Sequence, residues 1–76
     1  MSQAYIIIDC NHANEYQVFK NLKEIPEVIE CDVLIGSYEL ICRIVAPTYN
    51  DISDVVTNKI RKLEKIRGTM TLYVIG

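Results

Sequence analysis

The sequence predicts an α+β domain built from two successive βαβ halves. This prediction rests on the order of its strand-like and helix-like segments, and a hydrophobic content of 50% in a chain of 76 residues adds an expectation about assembly. A chain of this length forms a single domain, 1–76, and buries only about 60% of the surface that its unfolded form exposes. The surplus of apolar residues therefore predicts an interface between subunits.

The first half begins with a strand and continues with a helix. Ala4–Asp9 is rich in β-branched and aromatic residues, which predicts a buried strand. From Ala13 to Glu24, apolar residues recur at spacings of three and four, which predicts an amphipathic helix. Pro26 stops that helix, because proline restricts the residue before it to extended conformations.

Two further strands follow Pro26. Glu27–Ile35 and Tyr38–Ala46 are strand-like runs separated only by Gly36 and Ser37. This spacing predicts a tight antiparallel hairpin in which the glycine supplies a positive φ.

The second half ends with a helix and a last strand. Asn50 is expected to cap the helix. Its apolar positions again follow the helical spacing: Ile52, Val55, Val56, Ile60 and Leu63. Gly68 is expected to follow the end of this helix, and Thr69–Ile75 is the predicted fourth strand.

The order βαββαβ predicts a ferredoxin-like fold: a four-stranded antiparallel sheet with strands one and three in the centre and both helices on one face. Strand alternation assigns a uniformly apolar set of side chains to the helices: Ile6, Ile8, Leu40, Cys42, Ile44, Met70, Leu72 and Val74. The opposite set is mixed and is expected to form a subunit interface or the floor of a ligand site: Tyr5, Ile7, Asp9, Glu39, Ile41, Arg43, Val45, Thr69, Thr71, Tyr73 and Ile75.

Composition argues against several classes of function. A net charge of −2 provides no positive surface for phosphates, so direct nucleic-acid binding is not expected. Apolar runs fall far short of the roughly 20 residues that span a bilayer, and the start lacks the pattern of a secretory signal, so we expect no membrane association and a cytoplasmic location. The cysteine count of 3, without CxxC spacing, favours reduced thiols over a disulfide framework or a zinc ribbon.

Two chemical alternatives involve the first strand–helix turn. His12 is the only candidate general base near neutral pH, and it could serve a small dimeric barrel enzyme together with Tyr5 or Tyr73. Cys10 and His12 could instead bind a metal, although two ligands leave a tetrahedral site half filled. Because no glycine-rich phosphate loop or nucleophile motif accompanies them, we expect a structural cysteine, a surface histidine, no catalytic residue and no cofactor.

The hairpin from Ile35 to Leu40 is the segment with the clearest potential for ligand binding. It combines a glycine turn, two hydroxyl groups and a carboxylate. Its backbone amides could bind the carboxylate of an amino acid while Glu39 binds the ammonium group. A generic hairpin would explain the same residues, and the residues alone leave both interpretations open.

Three short motifs, in this order along the chain, resemble the effector-binding domain of Lrp/AsnC transcriptional regulators. They are Ile25-Pro26-Glu27-Val28 before the second strand, Gly36-Ser37-Tyr38-Glu39-Leu40 at the hairpin, and the threonines Thr69 and Thr71 in the last strand. The chain departs from the family pattern at Glu39, where aspartate is more common, and at Arg67-Gly68. It also begins directly at the first strand, so the family's helix-turn-helix and its DNA binding are not carried over.

The resemblance implies a dimer in which two sheets face each other as an α/β barrel, and dimers that join into larger homo-oligomers. It also implies a small amino-acid-like effector bound near the hairpin, and full-length Lrp/AsnC regulators as further partners. By position, the ligand residues would be Gly36, Ser37, Tyr38 and Glu39, with contributions from Thr69 and Thr71.

Overall fold

The computed structural model covers Met1–Gly76 and has the predicted order of elements. The elements are β1 (Ser2–Cys10), α1 (Glu15–Lys23), β2 (Val28–Val33), β3 (Leu40–Ala46), α2 (Tyr49–Val55) with a π-helical turn (Val56–Ile60), and β4 (Ile66–Val74).

The four strands form one antiparallel sheet in the order β2-β3-β1-β4. The prediction that the first and third strands occupy the centre is therefore confirmed. Ala4, Ile6 and Ile8 of β1 are fully buried beneath the helices. Their partners on β3, among them Ile44 and Leu40, are buried with them. The hydrophobic core thus lies between the sheet and the helix layer.

Helix α1 presents Val18 and Leu22 to this core, as the helical spacing predicted. It begins at Glu15, because Ala13 adopts a positive φ of 68° in the preceding turn. A residue in this left-handed conformation cannot continue into a right-handed helix.

Thr48, and not Asn50, caps α2, so the predicted cap was wrong. The Thr48 side chain accepts a hydrogen bond from the Asp51 amide, and the Asp51 carboxylate accepts one from the Thr48 amide. This reciprocal arrangement is a capping box, which satisfies two amides at once. The stronger pair fixes the start of the helix, and Asn50 lies inside its first turn.

The hairpin between β2 and β3 is longer than predicted. Pairing ends at Val33 and Leu40, and the Leu34 amide still donates to the Glu39 carbonyl at 2.7 Å. The connection is therefore an open loop over residues 34–39, not a tight turn of Gly36 and Ser37. Gly36 adopts a φ of +149°, a conformation that other residues rarely adopt.

Strand β4 begins earlier than predicted, and it turns the opposite set of side chains toward the helices. Gly68 lies inside the strand opposite Asp9, because a β-bulge inserts Arg67 between the pairs Asp9–Gly68 and Cys10–Ile66. Beyond the bulge, Thr69 lies opposite Ile8 and Thr71 opposite Ile6.

Directly opposed residues share a face, so Thr69 and Thr71 lie on the helix-covered side. Met70, Leu72 and Val74 lie on the other side, opposite Ile7, Tyr5 and Gln3. The predicted faces of the last strand are thus exchanged. Alternation groups the residues of a strand correctly, but it cannot say which group faces the helices when both faces of the sheet need apolar residues.

No helix of the chain combines the length and the apolar character needed to cross a lipid bilayer.

Candidate ligand-binding site

The side of the sheet that carries no helices is called here the open face. Its apolar members are Tyr5, Ile7, Ile41, Val45, Met70, Leu72 and Val74. Tyr5, Met70 and Leu72 are 41–47% exposed, although they lie in the middle of regular strands. A continuous apolar surface of this kind on a small domain marks an interaction site.

Charged residues cross one half of the open face in a narrow strip. The Arg43 guanidinium donates to Glu30 Oε1 through Nε at 2.8 Å and to Gln3 Oε1 at 3.1 Å. Beside it lies a cavity of about 110 Å³, lined by Tyr5, Glu30, Asp32, Ile41, Cys42 and Arg43. The face therefore combines apolar area with a fixed arrangement of charges, as subunit interfaces do.

Glu39 lies at the end of the open face and is the one buried charged residue of the chain, at 7% exposure. Its Oε1 accepts a hydrogen bond from the Cys10 amide at 2.8 Å, and its own amide donates to the Ile8 carbonyl at 3.1 Å. A buried carboxylate needs such partners to offset the loss of hydration. The carboxyl group thus has a fixed position at the junction of β1, β3 and the loop.

Asp9 and Arg67 lie next to Glu39. An Arg67 Nη2–Asp9 Oδ1 hydrogen bond of 2.8 Å joins them. This bond, followed by hydrogen bonding with Glu39, holds the pKa of Asp9 below its usual value. Burial, reinforced by the negative charge of Glu39, raises the pKa of the neighbouring Cys10 thiol. Asp9, Glu39 and Arg67 are called here the acidic cluster.

Strand alternation placed Asp9 on the face that also carries Glu39, but no sequence pattern brought Arg67 to Asp9. They are far apart in the chain, and Arg67 reaches Asp9 only because the β-bulge places it there. Gly68 was the available signal, since a glycine inside a strand often marks a bulge. The helical spacing before Gly68 instead suggested that this glycine follows the end of the second helix.

The loop residues Gly36, Ser37 and Tyr38 are exposed at the same end of the sheet. Ile35 beside them is fully exposed, which is unusual for a large apolar side chain. None of the cavities of the single chain is lined by residues 35–39.

The structure does not bring Thr69 and Thr71 to Glu39. Both threonines lie on the helix-covered side, whereas Glu39 precedes β3 and its carboxyl group lies beside Asp9 of the open face. Moreover, β1 separates β3 from β4. The premise that placed the threonines on the open face was wrong.

The residues of the two chemical alternatives are also dispersed. His12 is exposed in the turn after β1 and lines no cavity. Tyr5 lies on the open face. Tyr73 lies on the helix side, where it packs edge-on against Tyr49 with ring centroids 5.3 Å apart. Cys10 is fully buried. No group of three or more His, Cys, Asp or Glu side chains is close enough to hold a metal ion.

The largest cavities lie on the helix side. One of about 470 Å³ is lined by Gln17, Asn21, Glu24, Lys62, Leu63, Glu64 and Lys65. Another of about 320 Å³ is lined by Glu27, Pro47, Asp51, Asp54, Val55, Asn58 and Lys59. Their walls are mostly charged and amide side chains, and in the second a Lys59–Glu27 ion pair of 2.9 Å already satisfies the lysine. Neither cavity contains a residue of the loop or the acidic cluster.

The chain thus belongs to a class of ferredoxin-like domains with one open sheet face and a buried carboxylate beside a glycine-containing loop. Comparison with protein families identifies the class: the Lrp/AsnC ligand binding domain matches residues 3–76. The chain belongs to this family. A search of curated proteins gave no match.

Solved structures agree with this assignment. FFRP-DM1 is 35% identical to the chain, with a TM-score of 0.93 over 99% of this chain and 100% of the other. A hypothetical protein of Pyrococcus horikoshii is also 35% identical, with a TM-score of 0.92 over 99% and 90% of the two chains. AsnC of E. coli shares the fold with a TM-score of 0.91 at 24% identity, and the match covers 99% of this chain and 51% of AsnC.

Proposed function

We propose that this domain senses an amino-acid-like molecule, and that binding of this molecule controls how copies of the domain assemble. The observation that carries the proposal is the position of the acidic cluster. It lies at the end of an unpaired apolar face and beside an exposed loop that forms no pocket in the single chain.

Assembly begins with two open faces that pack against each other. Leu72 and Met70 are nearly half exposed in the single chain, and their burial would contribute about 25 cal/mol for each Å² removed from water. Arg43 is already paired with Glu30, so these two residues can enter the interface without leaving their own charges unpaired.

The acidic cluster suits the head group of a free amino acid. Glu39 accepts a hydrogen bond from the Cys10 amide and Asp9 accepts one from Arg67, and the two carboxyl groups lie within hydrogen-bonding distance of each other. Their second oxygens could accept hydrogen bonds from an ammonium group. Arg67, which is 52% exposed, and the amides of the loop could bind the carboxylate. The side chain of the ligand would then contact the second copy, which supplies the missing walls.

Calorimetry with each of the twenty common amino acids, combined with sedimentation, tests this proposal. L-methionine is the first probe, because a Neisseria meningitidis regulator with this fold, 19% identical to the chain, was solved as a complex with L-Met. We expect at least one amino acid to release heat and to change the sedimentation coefficient. No heat and no change in size with any of the twenty would contradict it.

Glu39→Gln is the variant that isolates the charge of the buried carboxyl group. The glutamine oxygen can still accept the bond from the Cys10 amide, so the fold should persist, whereas the charge that attracts an ammonium is lost. We expect the affinity for the amino acid to fall at least 10-fold, which corresponds to about 1.4 kcal/mol. Glu64→Gln, which removes a charge from the exposed surface of the helix layer, is the matched control and should bind as the wild type does.

A further inference from the structure

Cys31 and Cys42 face each other across β2 and β3, on the helix-covered side of the sheet. They are directly opposed in the register of the hairpin. The Cys42 thiol donates a hydrogen bond to the Cys31 sulfur, with the two Sγ atoms 3.1 Å apart. Neither residue belongs to the acidic cluster, and both side chains lie on the helix-covered side, although Cys42 also borders the cavity beside Arg43.

We propose that Cys31 and Cys42 form a reversible disulfide that crosses the β2–β3 hairpin. Opposed residues in an antiparallel pair have Cβ atoms about 4.5–5.5 Å apart, and a disulfide needs about 3.5–4.5 Å. The required approach is small. It is accessible here because β2 is an edge strand whose pairing is already irregular between Val28 and Glu30.

The two thiols differ in a way that assigns their roles. Cys31 is half-buried and borders a recess of about 40 Å³, lined by Lys23, Val28, Ile29, Glu30 and Cys31 itself. Cys42 is only 1% exposed. The hydrogen bond from Cys42 lowers the pKa of Cys31 and outweighs burial and the charge of Asp32, which raise it, while Lys23 adds a smaller lowering. Cys31 is therefore the thiol that an oxidant reaches first, and Cys42 is the one that completes the bond.

A hydroperoxide is the simplest oxidant for this reaction. The Cys31 thiolate attacks the terminal peroxide oxygen, the O–O bond breaks, and the products are a sulfenic acid on Cys31 and water or an alcohol. The Cys42 sulfur then attacks the Cys31 sulfur, the S–S bond forms, and the S–O bond breaks. The hydroxyl group leaves as water with the proton of Cys42. Two thiols are oxidised by two electrons, and one hydroperoxide is reduced.

Cys10 provides an internal comparison for this pair. It is fully buried in β1, burial raises its pKa, and no other sulfur forms a hydrogen bond with it. It should remain a thiol while Cys31 and Cys42 react. Because the pair lies on the helix side, a second copy that packs on the open face would not cover it. The inference thus depends on the fold and not on the proposed sensing function.

Treatment with an equimolar amount of hydrogen peroxide tests the inference. The protein is then denatured in an alkylating reagent and analysed by intact-mass and peptide mass spectrometry. We expect a monomer that has lost two hydrogen atoms and carries the label only on Cys10. A cross-link within a hairpin of this length should also raise Tm by roughly 10 °C or more, and dithiothreitol should reverse both changes.

Three variants distinguish the roles of the thiols. Cys10→Ser should behave as the wild type does. Cys42→Ser should accumulate a sulfenic acid on Cys31 that dimedone labels, and Cys31→Ser should leave Cys42 unoxidised. Three alkylated cysteines after oxidation of the wild type would overturn the inference, as would a disulfide between two chains or a sulfinic acid on Cys31 with Cys42 still reduced.

Discussion

The two faces of the sheet are both rich in apolar residues, but only one of them is covered within the chain. On the helix side, Ala4, Ile6 and Ile8 are fully buried. On the open face, Tyr5 and Leu72 are opposed in the same sheet and remain more than 40% exposed. The same kind of side chain thus stabilises the monomer on one side and remains available for contact on the other.

This difference explains how a chain of 76 residues can be half hydrophobic. The helix layer is short, and it covers one face of the sheet only. A domain of this size has little stability to spare, and this marginal stability supports the proposal that its second apolar face is an interface. Two neighbouring residues of β1, Ile7 and Ile8, allow the comparison to be tested directly.

The largest expected effect is that of Ile8→Ala on the helix side. The change leaves a cavity among fully buried neighbours and should lower the free energy of unfolding by about 2–5 kcal/mol. Ile7→Ala removes the same atoms from the open face and should cost less than half as much. Urea denaturation at a concentration where the chain is monomeric measures both values. Equal losses would show that the two faces do not differ in this way.

A charge on the open face should act on assembly instead. Leu72→Asp places a carboxylate where the second copy would pack, and an unpaired buried charge should weaken the dimer at least about 100-fold. The monomer should remain folded, because Leu72 is 47% exposed. Sedimentation over a range of concentrations measures the change. Tyr16→Asp, on the exposed side of α1, is the control and should leave the dimer intact.

A smaller effect is expected at the start of α2, in the helix layer. Thr48→Ala removes both hydrogen bonds of the threonine hydroxyl, the one it accepts from the Asp51 amide and the one it donates to the Asp51 carboxylate. The free energy of unfolding should fall by about 0.5–2 kcal/mol. Asn50→Ala should change the stability by no more than about 0.5 kcal/mol, because Asn50 provides no cap. Thermal denaturation measures the loss of stability in both variants. A larger loss with Asn50→Ala than with Thr48→Ala would show that Asn50 caps the helix after all.

The smallest effect concerns the ion pair at the end of the open face. Arg67 lowers the pKa of Asp9 in the folded protein. The Asp9–Arg67 ion pair therefore stabilises the fold fully above the unfolded pKa of Asp9, about 3.9, and this stabilisation is lost as pH falls through the folded pKa. Arg67→Met should shift the Asp9 titration to higher pH, as measured by NMR of the side-chain carboxyl carbon. An unchanged titration would show that Arg67 does not act on Asp9 in solution.

Local patterns predicted most of the fold and part of the candidate site. The helical spacing of Val18 and Leu22, and the β-branched run of β1, identified elements whose neighbours in sequence are also their neighbours in space. The hairpin motif located Glu39 for the same reason. Arg67 could not be found in this way, because a bulge between two distant strands brings it to Asp9.

The sequence by itself determined the order of the elements, the central position of β1 and β3, and the family to which the chain belongs. Only the tertiary structure decided which side of β4 faces the helices and which residue caps α2. It also decided that the Sγ atoms of Cys31 and Cys42 lie 3.1 Å apart. The physical reason is that periodicity reports the geometry of one segment, whereas strand register, bulges and competing hydrogen bonds depend on how segments pair.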